Sequence, residues 1–278
     1  MAASSVCVLR AHRLDGGTLE LLDRLRRDLG RERVFVVFDD TRGAWTSRDP
    51  SVDLTEGADV LVVTDDACER ENPMHRKGYG HDAASWSFWH PETAMVLAHE
   101  WLARERGVTA DLVWFVEYDV RCQGSFADVF AECDAIAGDV MACGRSAGDQ
   151  SRLRLSSEDP GWCWWANGLE GEIAGRVGRE ALVGCFFPVV RLSRAGAAAL
   201  RAEFGRSTGF CEVYVSTLIA TTPGLVAAPI PVRSLGHFLY SPSITPKDWS
   251  EHDAAAAELT AAGTPFPARL FHPVKFLY

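Results

Sequence analysis

Apolar and polar positions come in alternating blocks along this chain, and the blocks predict strands and helices in turn. Val6 to Leu9 is a short apolar strand, followed by Arg10, His12 and Arg13. Asp15-Gly16-Gly17-Thr18 then marks a turn and helix cap, and Leu22, Leu25 and Leu29 keep helical spacing up to Gly30. Val34 to Phe38 and Asp59 to Thr64 are two more buried strands, closed by Asp39-Asp40 and Asp65-Asp66. Strand, helix, strand and strand in this order predicts the opening of a nucleotide-binding α/β sheet. The polar segment from Cys68 to His90, with His75 and His81 inside it, reads as a loop. Pro91 opens a helix whose apolar stripe is Ala94, Leu97, Ala98, Trp101 and Leu102.

That helix leads into Leu112–Val116, an apolar run of the kind found in a buried strand. The run ends in two carboxylates, Glu117 and Asp119. If the strand persists, residues two apart face the same way. Both acids then sit at a strand's C-terminal end, where open α/β sheets bind ligands. Paired acids suit a hard divalent cation, although two solvated acids at a strand end are the plainer alternative.

Phe126–Cys133 follows as a short helix and Ala135–Ala142 as a strand of open direction. The segment Gly161–Gly168 holds Trp162, Trp164 and Trp165, which serve either as core or as a wall for stacking sugar rings. Ala181–Leu192 is a long apolar strand, and Ser193 caps a helix through Phe204. Glu212 opens a helix to about Ala220, where a carboxylate often only compensates the helix dipole. The tail from Thr221 is proline-rich and reads as irregular. It returns with His272 and Lys275, a pairing that suits a metal ligand and a phosphate clamp.

Composition narrows the field. The length of 278 residues is enough for one large α/β domain. A formal net charge of −10 argues against nucleic acid or an anionic membrane as the main partner. Eight cysteines occur with no C-x-x-C pair, so zinc held by cysteine spacing is disfavoured and reduced, buried thiols are expected. Neither G-x-G-x-x-G nor a P-loop is present. No apolar stretch is long enough to span a membrane. The chain as given reads as soluble and cytoplasmic, with a membrane anchor outside it left open.

Taken in order, these features resemble the GT-A class of nucleotide-sugar-dependent glycosyltransferases. Val-Glu-Tyr-Asp-Val-Arg and His-Pro-Val-Lys look like phrases of poorly characterised glycosyltransferase-like families of eukaryotes and large viruses. The resemblance implies one GT-A-like α/β domain with a mixed central sheet. Residues 1–143 would form its Rossmann-like nucleotide-sugar-binding half and residues 144–278 its acceptor-binding half. Glu117-Tyr118-Asp119 stands in the place of the family's D-x-D motif, as E-x-D. By resemblance, Asp119, Glu117 and His272 hold Mn²⁺ or Mg²⁺, and Lys275 contacts the diphosphate of a UDP-linked or GDP-linked sugar. Arg10 and Asp39 lie near the base and ribose, Glu117 also reaching the nucleotide. Glu212 is the base that activates an acceptor hydroxyl, or stabilises an oxocarbenium-like state in a retaining enzyme. The acceptor is a carbohydrate or glycoconjugate, and the segment around Cys68 and the three histidines is expected to order over the donor. The alternatives are a sugar-nucleotide nucleotidyltransferase, which usually has a glycine-rich basic loop after its first strand, and a non-catalytic carbohydrate-binding protein.

Overall fold

The structure, a computed structural model, describes residues 4–13, 15–41, 43, 60–76, 90–144, 153, 171–238, 243–261 and 267–274. Its elements in chain order begin with β1 (Ser5–Ala11), α1 (Gly16–Leu29), β2 (Val34–Asp39), β3 (Val60–Val63), α2 (Asp65–Glu71) and α3 (Pro91–Glu105). Next come β4 (Leu112–Glu117), β5 (Arg121–Gln123), α4 (Phe126–Asp134), β6 (Val140–Cys143), α5 (Gly171–Val177) and β7 (Phe186–Ser193). The last are α6 (Arg194–Glu203), α7 (Cys211–Thr221), β8 (Ala227–Pro229), β9 (Leu235–Phe238), α8 (Pro246–Ala261) and β10 (Arg269–His272).

Seven strands form one mixed sheet in the order β3-β2-β1-β4-β7-β6-β8. β7 pairs antiparallel with both β4 and β6, while the other pairings are parallel, so β7 alone runs against the sheet. Alternation places successive residues on opposite faces. Val8, Phe35, Val113, Phe115 and Val190 pack on the face covered by α3, α6 and α7. Leu9, Val36, Trp114, Val116 and Met141 pack on the other, under α1 and α4. A second sheet of three strands, β5-β10-β9, sits beside the C-terminal end of β4.

This is the expected single α/β domain with a mixed central sheet. β7 and β8, from the later half of the chain, complete the sheet that the earlier half begins. Local chemistry explains four of the helix starts: Asp15, Thr64, Ser125 and Ser193 each cap a helix by accepting a backbone N–H. Asp65 and Asp66, expected to close a strand before a loop, instead form the first turn of α2, where negative charge faces the helix dipole. The tail expected to be irregular holds three short strands and α8. Its prolines mark element edges, with Pro229 ending β8 and Pro246 opening α8. Two expected strands begin later than their apolar runs, at Val140 and Phe186. Residues 179–181 form a single 3-10 turn, and Thr217 bonds both backbone groups of Val183 before β7 starts.

Seven cysteines among the described residues are free and buried. Burial pushes the Cys68 thiol up to about 12 and the Cys143 thiol well above its ordinary range. Such thiols are poor nucleophiles. Among the described residues no helix is long and apolar enough to cross a membrane.

Candidate functional site

The chain runs outward from β1 to β2 and β3, then crosses back to place β4 on the other side of β1. The switch point of the sheet therefore lies between β1 and β4, and its ligand-binding edge is at their C-terminal ends. Arg10 and Glu117 are register partners there. Arg10 donates to Glu117 Oε1 at 3.0 Å and to the Phe187 carbonyl at 3.4 Å, with its guanidinium 5.9 Å from the Phe187 ring.

The sequence predicts that Asp119 shares a strand face with Glu117, but β4 ends at Glu117. Asp119 reaches the site by a turn. Val120 N–H donates to the Glu117 carbonyl at 3.1 Å, closing Glu117-Tyr118-Asp119-Val120 into a β-turn. Buried Arg121 holds that turn by donating to the carbonyls of Tyr118, Val120 and Gly17 at 3.1, 2.7 and 2.9 Å. Tyr118 packs between His12, edge-on at 4.7 Å, and the guanidinium of Arg13 at 4.4 Å. The basic run after β1 thus gathers around the motif.

The second sheet brings His272 back. β10 pairs antiparallel with β5, Phe271 opposite Arg121, and parallel with β9, His272 opposite Phe238. Val274 N–H donates to the Asp119 carbonyl at 2.9 Å, which fixes the strand end to the turn. Phe186 and Phe238 flank the imidazole at 5.2 and 5.7 Å. His272 Nε2 lies 3.3 Å from Asp119 Oδ1 and 3.8 Å from Glu117 Oε2.

These three residues form a group whose ligand atoms all lie within 4.8 Å of one another. Adjacent ligands of an octahedral ion with bonds of about 2.1 Å are roughly 3 Å apart, so the separations fit a divalent cation. Two carboxylate oxygens with one imidazole nitrogen suit Mn²⁺, and Mg²⁺ less well because of the nitrogen. Asp119 and His272 are buried while Glu117 is partly open, which leaves one side for a ligand.

Of the other expected residues, Asp39 and Glu212 are described. Asp39 ends β2, and its Oδ1 accepts from Thr41 N–H at 2.9 Å. Glu212 is buried in the first turn of α7. Its carbonyl accepts from Cys185 N–H at 2.8 Å, just before β7 enters the sheet, so it belongs to the site end. Lys275, Trp162, Trp164, Trp165 and His81 lie outside the described residues. His75 and His90, expected in a loop, are fully buried: His75 bonds Asp65 at 2.9 Å and His90 bonds Glu92 at 3.1 Å. The sequence reading missed Arg121, Phe186 and Phe238. Only Arg121 left a signal, a charge directly between Val120 and Cys122.

Fold and site together define a single-domain α/β protein with a mixed sheet and a cluster of two acids and a histidine at its switch point, spaced as a divalent cation would need. No protein-family model matches the chain, and no curated protein matches it in sequence. Among solved structures it is similar to mouse xyloside xylosyltransferase 1 in its apo form, at 9% identity and a TM-score of 0.48, over 96% of this chain and 97% of that one. It is also similar to mannose-1-phosphate geranyltransferase from Thermus thermophilus, at 13% identity and a TM-score of 0.38, over 82% of this chain and 74% of that one.

Proposed function

We propose that this protein is a metal-dependent glycosyltransferase. It moves a sugar from a nucleoside diphosphate, UDP in preference to GDP, to a hydroxyl of a glycan or glycoconjugate. One observation carries this: Glu117, Asp119 and His272 meet at the switch point of the sheet, beside Arg10. A divalent cation held by these three residues supplies Lewis-acid stabilisation of a departing diphosphate. Arg10 orients Glu117 and adds positive charge to the donor edge. Asp39, at the end of β2, contacts the ribose in this reading. Glu212 is the base for the acceptor hydroxyl. Lys275 and the indoles of Trp162, Trp164 and Trp165 complete the proposal at the diphosphate and the acceptor. The earlier half of the chain, residues 1–143, holds the nucleotide and residues 144–278 the acceptor.

The test is thermal unfolding against UDP, GDP, CMP and UTP, each with and without Mn²⁺. A nucleoside diphosphate is expected to raise the midpoint only when metal is present, with about 2.7 kcal/mol of stabilisation at a hundredfold excess over Kd. A flat panel overturns the proposal. Pyrophosphate release from UTP and a sugar phosphate would replace it by a nucleotidyltransferase. Glu212→Gln is expected to bind donor normally, by the same thermal shift, and to turn over about a hundredfold more slowly. Turnover near the parent rate would remove Glu212 from the reaction.

A further inference from the structure

Glu117 and Asp119 have to be held together against their own repulsion. The ligand atoms of the cluster lie within 4.8 Å of one another, so two carboxylates share one small volume. Like charges at that spacing favour any turn that swings one of them out to water. Glu117 has the Arg10 guanidinium as a counter-charge at 3.0 Å. Asp119 lies deeper, 3% exposed, and its direction is set by the backbone on either side of it.

A planar peptide flanks each side of the Asp119 Cα, and fixing both planes fixes where the side chain leaves the backbone. The plane after it is held by Val274, whose N–H donates to the Asp119 carbonyl at 2.9 Å. The plane before it is held by Arg121, whose Nη1 donates to the Tyr118 carbonyl at 3.1 Å. The same nitrogen donates to the Val120 carbonyl at 2.7 Å. Nη2 donates to the Gly17 carbonyl at 2.9 Å, which anchors the guanidinium on the first turn of α1. α1 also reaches the motif from its cap: Asp15 pairs with Arg13 at 2.8 Å, and Arg13 lies over the Tyr118 ring. Val274 acts through its backbone, whereas Arg121 acts through its side chain and is open to substitution.

We propose that Arg121 is a positioning residue for the cation. It works through the carbonyls of the turn, presetting the direction of the Asp119 carboxylate so that the ion meets its ligands already in place. Removing it lets charge repulsion open the turn, and affinity for the ion falls. The inference rests on the cation site proposed above and adds what tunes that site.

Mn²⁺ alone is the probe, titrated into the full chain and followed by the electron paramagnetic resonance signal of the free ion, with urea unfolding of each variant alongside. Arg121→Met is expected to weaken Mn²⁺ binding about 10–100-fold, the usual cost of losing a group that orients a metal ligand. Arg121→Lys is expected to lose less, about fivefold, because one ammonium serves only some of the three carbonyls. Gln123→Leu is the control. Gln123 lies two residues along β5 on the same face and is equally buried, but it donates to the His252 carbonyl in α8. That variant is expected to lose stability and keep the parent affinity for Mn²⁺. Parent affinity in both folded arginine variants, or in Arg121→Lys where the methionine variant does not fold, overturns the positioning role and leaves the cation site standing. A loss in Gln123→Leu as large as in the arginine variants also overturns it, because the loss then belongs to the second sheet. A parent chain that takes up no Mn²⁺ at millimolar concentration overturns the cation site itself, and this inference with it.

Discussion

Replacing Asp119 by alanine is expected to lower the affinity for nucleoside diphosphate measured with Mn²⁺ by about a hundredfold or more. The affinity measured without metal should not change. Asp119 is the buried carboxylate of the cluster, 3% exposed, and it sits 3.3 Å from His272 Nε2. Glu117 is more open and already shares an oxygen with Arg10 at 3.0 Å, so it cannot replace Asp119 in full. Loss of a group that only orients a metal ligand costs about 10–100-fold in affinity, so losing a ligand outright should cost at least the upper part of that range. The backbone tie from Val274 to the Asp119 carbonyl does not involve the side chain, so the turn should survive. Asp119→Asn keeps the volume and removes the charge, and it should match alanine in metal-supported binding. Calorimetric titration of UDP and GDP with and without Mn²⁺ checks this. Metal-supported affinity equal to the parent in both variants would show that the cluster holds no cation in the working protein.

Much of this site was legible in the sequence because its parts lie where local patterns are strong. The apolar run before Glu117 makes β4 unavoidable, and two acids at the end of such a run are conspicuous. Their geometry was not legible. Whether a strand continues for two more residues depends on partners, and the pairing of β4 with β1 ends with the Arg10–Glu117 pair. The turn that follows rests on Arg121, whose acceptor at Gly17 lies over a hundred residues away in sequence. His272 stands out as an odd residue in an apolar run. The strand that delivers it has four residues, and its pairing with β5 and β9 is a tertiary fact that periodicity does not encode. The same limit explains the tail. β8, β9 and β10 have three or four residues each, too short to show alternation, and proline makes such segments read as loop. α2 is different, since Thr64 followed by two acids is a legible helix-start pattern that the strand-end reading of the same acids overrides.

Arg191→Met is expected to lower the unfolding free energy by about 3–5 kcal/mol, the range for breaking a buried charge network. Arg191 lies in an apolar strand, 1% exposed, yet no carboxylate fully neutralises it. Its Nη1 donates to the Cys133 carbonyl at 2.6 Å, and Asp134 is 3.3 Å away. Its Nη2 donates to the carbonyls of Ile136 and Gly138 at 2.8 and 3.1 Å. These carbonyls belong to the end of α4 and the chain just beyond it, where a helix leaves acceptors without internal donors. A cation is favoured there by the helix dipole, and it offsets Asp134, which the dipole disfavours. Asp134 also accepts from the Trp114 indole at 3.0 Å, and that ring stacks on Phe130 at 4.2 Å. One guanidinium therefore joins β7, β4 and α4. Methionine fills the volume but removes a donor from all three carbonyls and from Asp134, leaving the Cys133 carbonyl to the Ile136 N–H and Asp134 to the Trp114 indole, whereas Arg191→Lys keeps the charge and recovers only part of the loss, because one ammonium cannot span all three carbonyls. Urea unfolding followed by tryptophan fluorescence measures both. A methionine variant within about 1 kcal/mol of the parent would mean that water or a rearranged loop satisfies the α4 terminus, and that the arginine is not what ties these elements together.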